Sequence, residues 1–168
     1  MLKKIAIIVL CALPLGLFAQ EVKLGHVNSQ EVLSQLPEIE KLKTEIDNIT
    51  KQWEDLIMKM REEYSAKITE FQDQQETMPE SIKKMRISEI QDIEQRVSNT
   101  QQQAYNDLQE KQQELIAPIL EKVRKAIGEV GAEGNFLYIF DTSRESIIYE
   151  SPRAVNVTDL VKKKLGVK

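Results

Sequence analysis

From Ile39 onward the apolar residues recur in steps of three and four: Ile39, Leu42, Ile46, Ile49, Trp53, Leu56, Met60, Tyr64, Ile68 and Phe71. Strand alternation cannot generate this spacing. It is a heptad seam with one irregular stretch between Leu56 and Ile68. Lysine, glutamate, aspartate, glutamine and threonine fill the intervening positions, so the predicted helix carries one narrow apolar stripe and is wet elsewhere. A second segment repeats the theme less strictly through Ile82, Met85, Ile90, Ile93, Val97, Ala104, Leu108, Leu115, Ile119, Val123, Ile127 and Val130. Its centre, VSNTQQQAYNDLQEKQQE, is rich in glutamine and poor in apolar residues, which predicts a thin, exposed helix.

Between the two lies FQDQQETMPESIKKM, with Pro79 near its middle. A proline within one continuous rod would remove the bond to the carbonyl of residue 75 and clash with it, costing about 3 kcal/mol. A helix that begins there loses nothing. Thr77 and Glu80 have the spacing of a capping box, and Pro79 then falls in the first turn, where its missing N–H is harmless. The expectation is an antiparallel hairpin with arms 39–76 and 80–114 and a tip near 77–79. Each arm reaches roughly 50 to 57 Å at the helical rise per residue.

The flanks read differently. VKLGHV at 22–27 is strand-like, Asn28-Ser29 with Glu31 signals a helix start for SQEVLSQL, and Pro37 stops that helix and seeds the next. GEVGAEGN at 128–135 ends the second long helix, and FLYIF at 136–140 is a buried-strand run. DTSRES then makes a turn and SIIYES a return strand, predicting a β-hairpin over 136–150. NVTDLVKKKLG gives a final short helix capped by Asn156 or Thr158 and closed at Gly166, with its lysines at the favourable end of the dipole. The fold class is therefore α+β: a long helical hairpin, 39–114, projecting from a small β-rich body built from 21–38 and 115–168. Such a body is marginal alone and has no disulfide to staple it. Several copies are expected to pool their strands, with Val22, Leu24, Val27, Phe136, Leu137, Tyr138, Ile139, Phe140, Ile147, Ile148 and Tyr149 as the candidate association residues.

The first twenty residues stand apart. Two lysines, an apolar run from Ile5 to Leu13, a Pro14/Gly16 break and Ala19 before polar sequence follow the plan of a secretory signal peptide, too short in its apolar part to span a membrane. They contain the single cysteine, Cys11, whose context does not fit lipidation. The remaining chain has no cysteine and carries 21 basic against 27 acidic residues, net −6. That balance argues against a nucleic-acid partner. Without a second membrane segment, the expected home is a soluble extracytoplasmic space, the periplasm of a two-membrane cell.

No constellation for catalysis stands out. His26 is the only histidine and has no companions for a metal set, and the carboxylates alternate with lysines along wet helix faces. GAEGN lies between a helix and a strand, the wrong order for a phosphate loop. No enzyme, cofactor or metal is expected. A different cluster does invite a function. Every methionine after the first falls in the distal half of the hairpin, Met58, Met60, Met78 and Met85, alongside Tyr64, Phe71, Ile82 and Ile87. Methionine adapts to partners of variable shape, while the plainer reading is that these side chains pack the two arms together. Lys83, Lys84 and Arg86 add a local basic edge that Glu76, Glu80 and Glu89 largely offset.

The order of strand, helical hairpin, strands and terminal helix, with KLGHVNSQEVL at 23–33 and FLYIFDTSRESIIYESPRAVNVTDLVKKKL at 136–165, resembles the Skp/OmpH family of periplasmic chaperones. The resemblance spans nearly all of the chain after residue 20. It implies a homotrimer whose strands form a central barrel, with three hairpins enclosing a cavity in which unfolded outer-membrane proteins are held without ATP. Family members are often strongly basic and this chain is acidic, so no lipopolysaccharide site is carried over. A structural adaptor of the cell envelope that binds one folded partner is the competing class.

Overall fold

The structure, a computed structural model, describes residues 22–144 and 147–167. The expected signal peptide lies outside the described residues. Seven elements follow in order: β1 (Leu24–Val27), α1 (Ser29–Ser34), α2 (Pro37–Gln74), α3 (Glu80–Glu133), β2 (Tyr138–Asp141), β3 (Val155–Asn156) and α4 (Thr158–Leu165). The chain is α+β, dominated by two long helices beside one small sheet.

Local signals explain most boundaries. The Asn28 side chain accepts the Glu31 N–H at 3.0 Å and caps α1, and Pro37 occupies the first turn of α2. Between α2 and α3 the expected capping box is not formed. Both the backbone N–H and the hydroxyl of Thr77 donate to the Gln74 carbonyl, so Thr77 closes α2. Pro79 itself is the N-cap of α3, in extended conformation, with its carbonyl taking the N–H groups of Ile82 and Lys83. A proline needs no amide partner, and the residue before it is pushed out of the helical region, so the new helix starts after Pro79 rather than at Thr77.

α3 runs unbroken through Gly128 and Gly131 and past Pro118 to Glu133, so residues 115–133 are helical and carry the second arm down into the body. Gly134 ends it. A Cβ at Gly134 would overlap the Phe136 ring, and Asn135 takes the left-handed conformation (φ 51°) that turns the chain toward β2. At the other end, Gly166 closes α4 in the left-handed region at φ 75°. The start of α4 is served by Asn156, whose side chain accepts the Thr158 N–H at 2.9 Å.

The sheet corrects one expectation. Its order is β2-β1-β3 and both pairings are parallel, with Leu24 opposite Tyr138 and Gly25 opposite Val155. Residues 147–150 form no strand, so the β-hairpin over 136–150 is absent within the chain, and Ile148 is fully exposed. The third strand is instead Val155–Asn156. Placing it beside β1 drops the adjoining Val157 and Val161 into the core, both 0% exposed, a burial that an antiparallel return strand at 147–150 does not supply. Pro152, between the two segments, also cannot donate to a ladder.

Parallel neighbours need a crossover connection. Between β1 and β2 that crossover is the entire helical hairpin. The core lies at its base: Val27, Val32, Leu36, Ile119, Val123, Ala126, Val130, Val157 and Val161 pack together under the sheet. Peripheral ties fasten the small helices to this core. Lys162 of α4 pairs with Glu31 of α1, and Lys164 with Glu129 and Glu133 of α3.

Candidate functional site

The arms are joined side to side along their length. Lys122 pairs with Glu38 near the base, the Trp53 indole N–H donates to Asp107 at 2.9 Å, and Arg96 faces Glu63 at 3.9 Å. Nearer the tip, Lys67 reaches Glu89 at 3.2 Å and Arg86 reaches Glu70 at 3.7 Å. These pairs descend one helix as they climb the other, which is the antiparallel hairpin rather than a kinked rod. Among the described residues of α2 none is buried, and along the free length of α3 only Ile93 and Ala104 are. The heptad seam therefore zips the arms without giving them a dry interior.

Two apolar grooves open along the arms. One, of about 410 Å³ near the tip, is lined by Ile68, Phe71, Ile87 and Ile90 with Gln72, Gln75 and Gln91. The other, of about 540 Å³ at mid-arm, is lined by Ile57, Met58, Arg61 and Ser65 with Glu54, Glu62 and Gln101. Of the residues singled out in the sequence, Phe71 and Ile87 meet in the first groove and Met58 lies in the second. Met58 and Met85 are 53% and 56% exposed, and Ile82 is also exposed; Met60, Tyr64 and Met78 are half-buried, the first two along the seam. Ile57, Ile68 and Ile90 belong with them. Ile68 and Ile90 were visible as seam positions, whereas Ile57 is off the seam, and only the placement of the partner helix brings it to a groove.

The basic edge divides. Lys84 is exposed and Lys83 half-buried, but Arg86 is engaged by Glu89 at 2.8 Å and by Glu70. The hydrogen bond to Glu89 raises the Arg86 pKa, and the bonds from Arg86 and Lys67 hold the Glu89 carboxyl below the ordinary value. Arg86 is thus a clamp between the arms.

The body presents a second apolar surface. Val27 is buried, and Phe136, Ile139 and Ile147 are half-buried. Val22, Leu24, Leu137, Tyr138, Phe140, Ile148 and Tyr149 are exposed, with the Tyr138 and Phe140 rings 5.9 Å apart. β2 has β1 on one side and no strand on the other among the described residues. His26 is buried in β1 and its Nε2 lies 2.8 Å from the Glu150 carboxylate, a pairing that the sequence did not announce because Glu150 comes from an irregular segment. Among the described residues no group of three or more histidine, cysteine, aspartate or glutamate side chains is placed to hold a metal ion, and no helix is long and apolar enough to cross a membrane.

This architecture agrees with a comparison of sequences. The family model for outer membrane protein (OmpH-like) matches residues 23–165, from the first strand to the last helix. The chain belongs to the OmpH-like family. No match was found among curated proteins. As an OmpH-like protein the chain keeps both ends of the pattern, the strand β1 with α1 and the segment from β2 to α4, in one continuous match that includes the arms.

Proposed function

We propose that the protein is an ATP-independent periplasmic holdase that keeps unfolded outer-membrane proteins from aggregating by holding them between its helical arms. Membership of the OmpH-like family supports a chaperone-type role toward outer-membrane proteins, and not an enzymatic one. The observation that carries the finer reading is the state of the arms. Their apolar side chains line open grooves, with Met58, Met85 and Ile87 exposed, instead of being spent on a core. Apolar side chains gathered in a groove, as Ile57 and Met58 are, favour an interaction surface over a plain rigid spacer.

Each apolar side chain of a client seated on such a surface contributes about 1 to 2 kcal/mol before ordering costs, so holding requires several arms acting together. A homotrimer supplies them. The exposed apolar band of Leu137, Tyr138, Phe140, Ile148 and Tyr149 and the open side of β2 fit a body that is completed by neighbouring copies. The signal-peptide pattern of residues 1–20 supports export, and with it a periplasmic location for this assembly.

The test is aggregation suppression of a urea-unfolded outer-membrane β-barrel protein, with the mass of the chaperone measured in the same buffer. Replacing residues 64–90 by a short turn should leave the oligomer intact and weaken protection. Full protection by the shortened protein would exclude capture by the arms. A protein that ignores several unfolded barrels and retrieves one folded partner would be an adaptor instead.

A further inference from the structure

The net charge of the molecule is not spread evenly. Residues 37–114 carry 18 aspartates and glutamates against 11 lysines and arginines, whereas residues 21–36 and 115–168 together carry 9 against 10. The whole negative excess sits on the arms. Part of it is consumed by the ion pairs of Glu63, Glu70 and Glu89 with the opposite arm and of Glu38 with Lys122 at the base. Other arm carboxylates are exposed and take no part in any ion pair among the described residues: Glu45, Asp47, Glu54, Asp55, Glu62 and Asp73 on α2 alone.

Two of these rim the mid-arm groove. Glu54 and Glu62 stand one helical turn before and one after Met58, on the same face, with Arg61 as the single cation of the rim. An apolar floor of Ile57 and Met58 between two unpaired carboxylates is complementary to an extended segment in which apolar side chains are flanked by lysine or arginine. The remaining free carboxylates extend the same potential along the arm. Charges so arranged speed encounter and choose among partners more than they add affinity.

We infer that the arms select unfolded polypeptide segments that are apolar and net positive, with the Glu54–Met58–Glu62 face as the principal contact. The inference rests on the holdase reading and adds to it the charge of the client.

Two labelled unstructured peptides with the same apolar residues, one carrying lysines and the other glutamates at the remaining positions, discriminate directly. Their binding to the full assembled protein is followed by fluorescence anisotropy at low and high salt. The lysine peptide is expected to bind about tenfold tighter at low ionic strength, with the advantage shrinking to about twofold once the Debye length falls to a few ångströms. The double variant Glu54→Gln/Glu62→Gln, both exposed positions, should cut the low-salt advantage about threefold at unchanged oligomer mass. Equal binding of the two peptides, tighter binding of the glutamate peptide, or an unaltered preference in the double variant overturns the inference while leaving the holdase reading in place if unfolded barrel proteins are still protected. Failure of both peptides to bind together with failure to protect overturns both.

Discussion

Asp141 sits at the end of β2 and gathers the start of α1. One of its oxygens accepts the backbone N–H groups of Ser29 and Ser143, and the other accepts the Ser29 hydroxyl at 2.5 Å. Burial alone would raise its pKa, but the hydrogen bonds from Ser29 and Ser143 outweigh it and hold the carboxyl below its ordinary value. A depressed folded pKa contributes stability that is present above the unfolded pKa and is lost as pH falls through the folded one. Asp141→Asn should therefore lower stability by about 1 kcal/mol near neutrality, the site being partly screened by solvent, and should flatten the acid limb of stability against pH. Urea melts at a series of pH values measure both. Gly134→Ala is a second test at this scale. The added methyl must displace the Phe136 ring, on which the Lys23 ammonium rests at 4.2 Å, and a loss of about 1 to 3 kcal/mol in thermal unfolding is expected.

At the scale of elements, the heptad seam and the proline made the hairpin legible from the sequence, because period and punctuation are local signals. The exact start of α3 was not. Thr77 and Glu80 have the right spacing, yet Thr77 finds a nearer acceptor in the Gln74 carbonyl. The sheet was half legible. Leu24–Val27 and Tyr138–Asp141 are strands as their composition indicates, while IIYE has equal strand propensity and is not one in the chain. Which segment pairs with β1 is decided by the burial of Val157 and Val161 far along the chain, and propensity carries no such information. The grooves were legible only as a list of methionines and aromatics, since their walls come from both arms. Pro118 gives the element-scale prediction. It lies inside α3 beside buried Ile119 and cannot supply the N–H that the Glu114 carbonyl would take. Pro118→Ala should stabilise α3 by about 1 to 3 kcal/mol and slow amide exchange around residues 114–119, where arm meets body.

The whole molecule divides into a small core and two rods that lean on it only at their lower ends. Among the cross-arm ion pairs Arg96–Glu63 is exposed and Lys67–Glu89 half-buried, both within reach of solvent ions, so raised salt should fray the distal arms while leaving the body intact. Exchange at residues 60–100 that quickens with salt, beside unchanged exchange at Val123–Val130, is the expected outcome. The position of the hairpin in the topology has a further consequence. Because the rods form the link between two neighbouring parallel strands, their span is uncoupled from their foundation. Adding or removing one heptad at matched levels of α2 and α3 preserves the angular phase of the seam and alters the reach by about 10 Å, with every residue of the base untouched. The reach of the rods is then an evolvable dimension of this design, adjustable without renegotiating how the subunit folds.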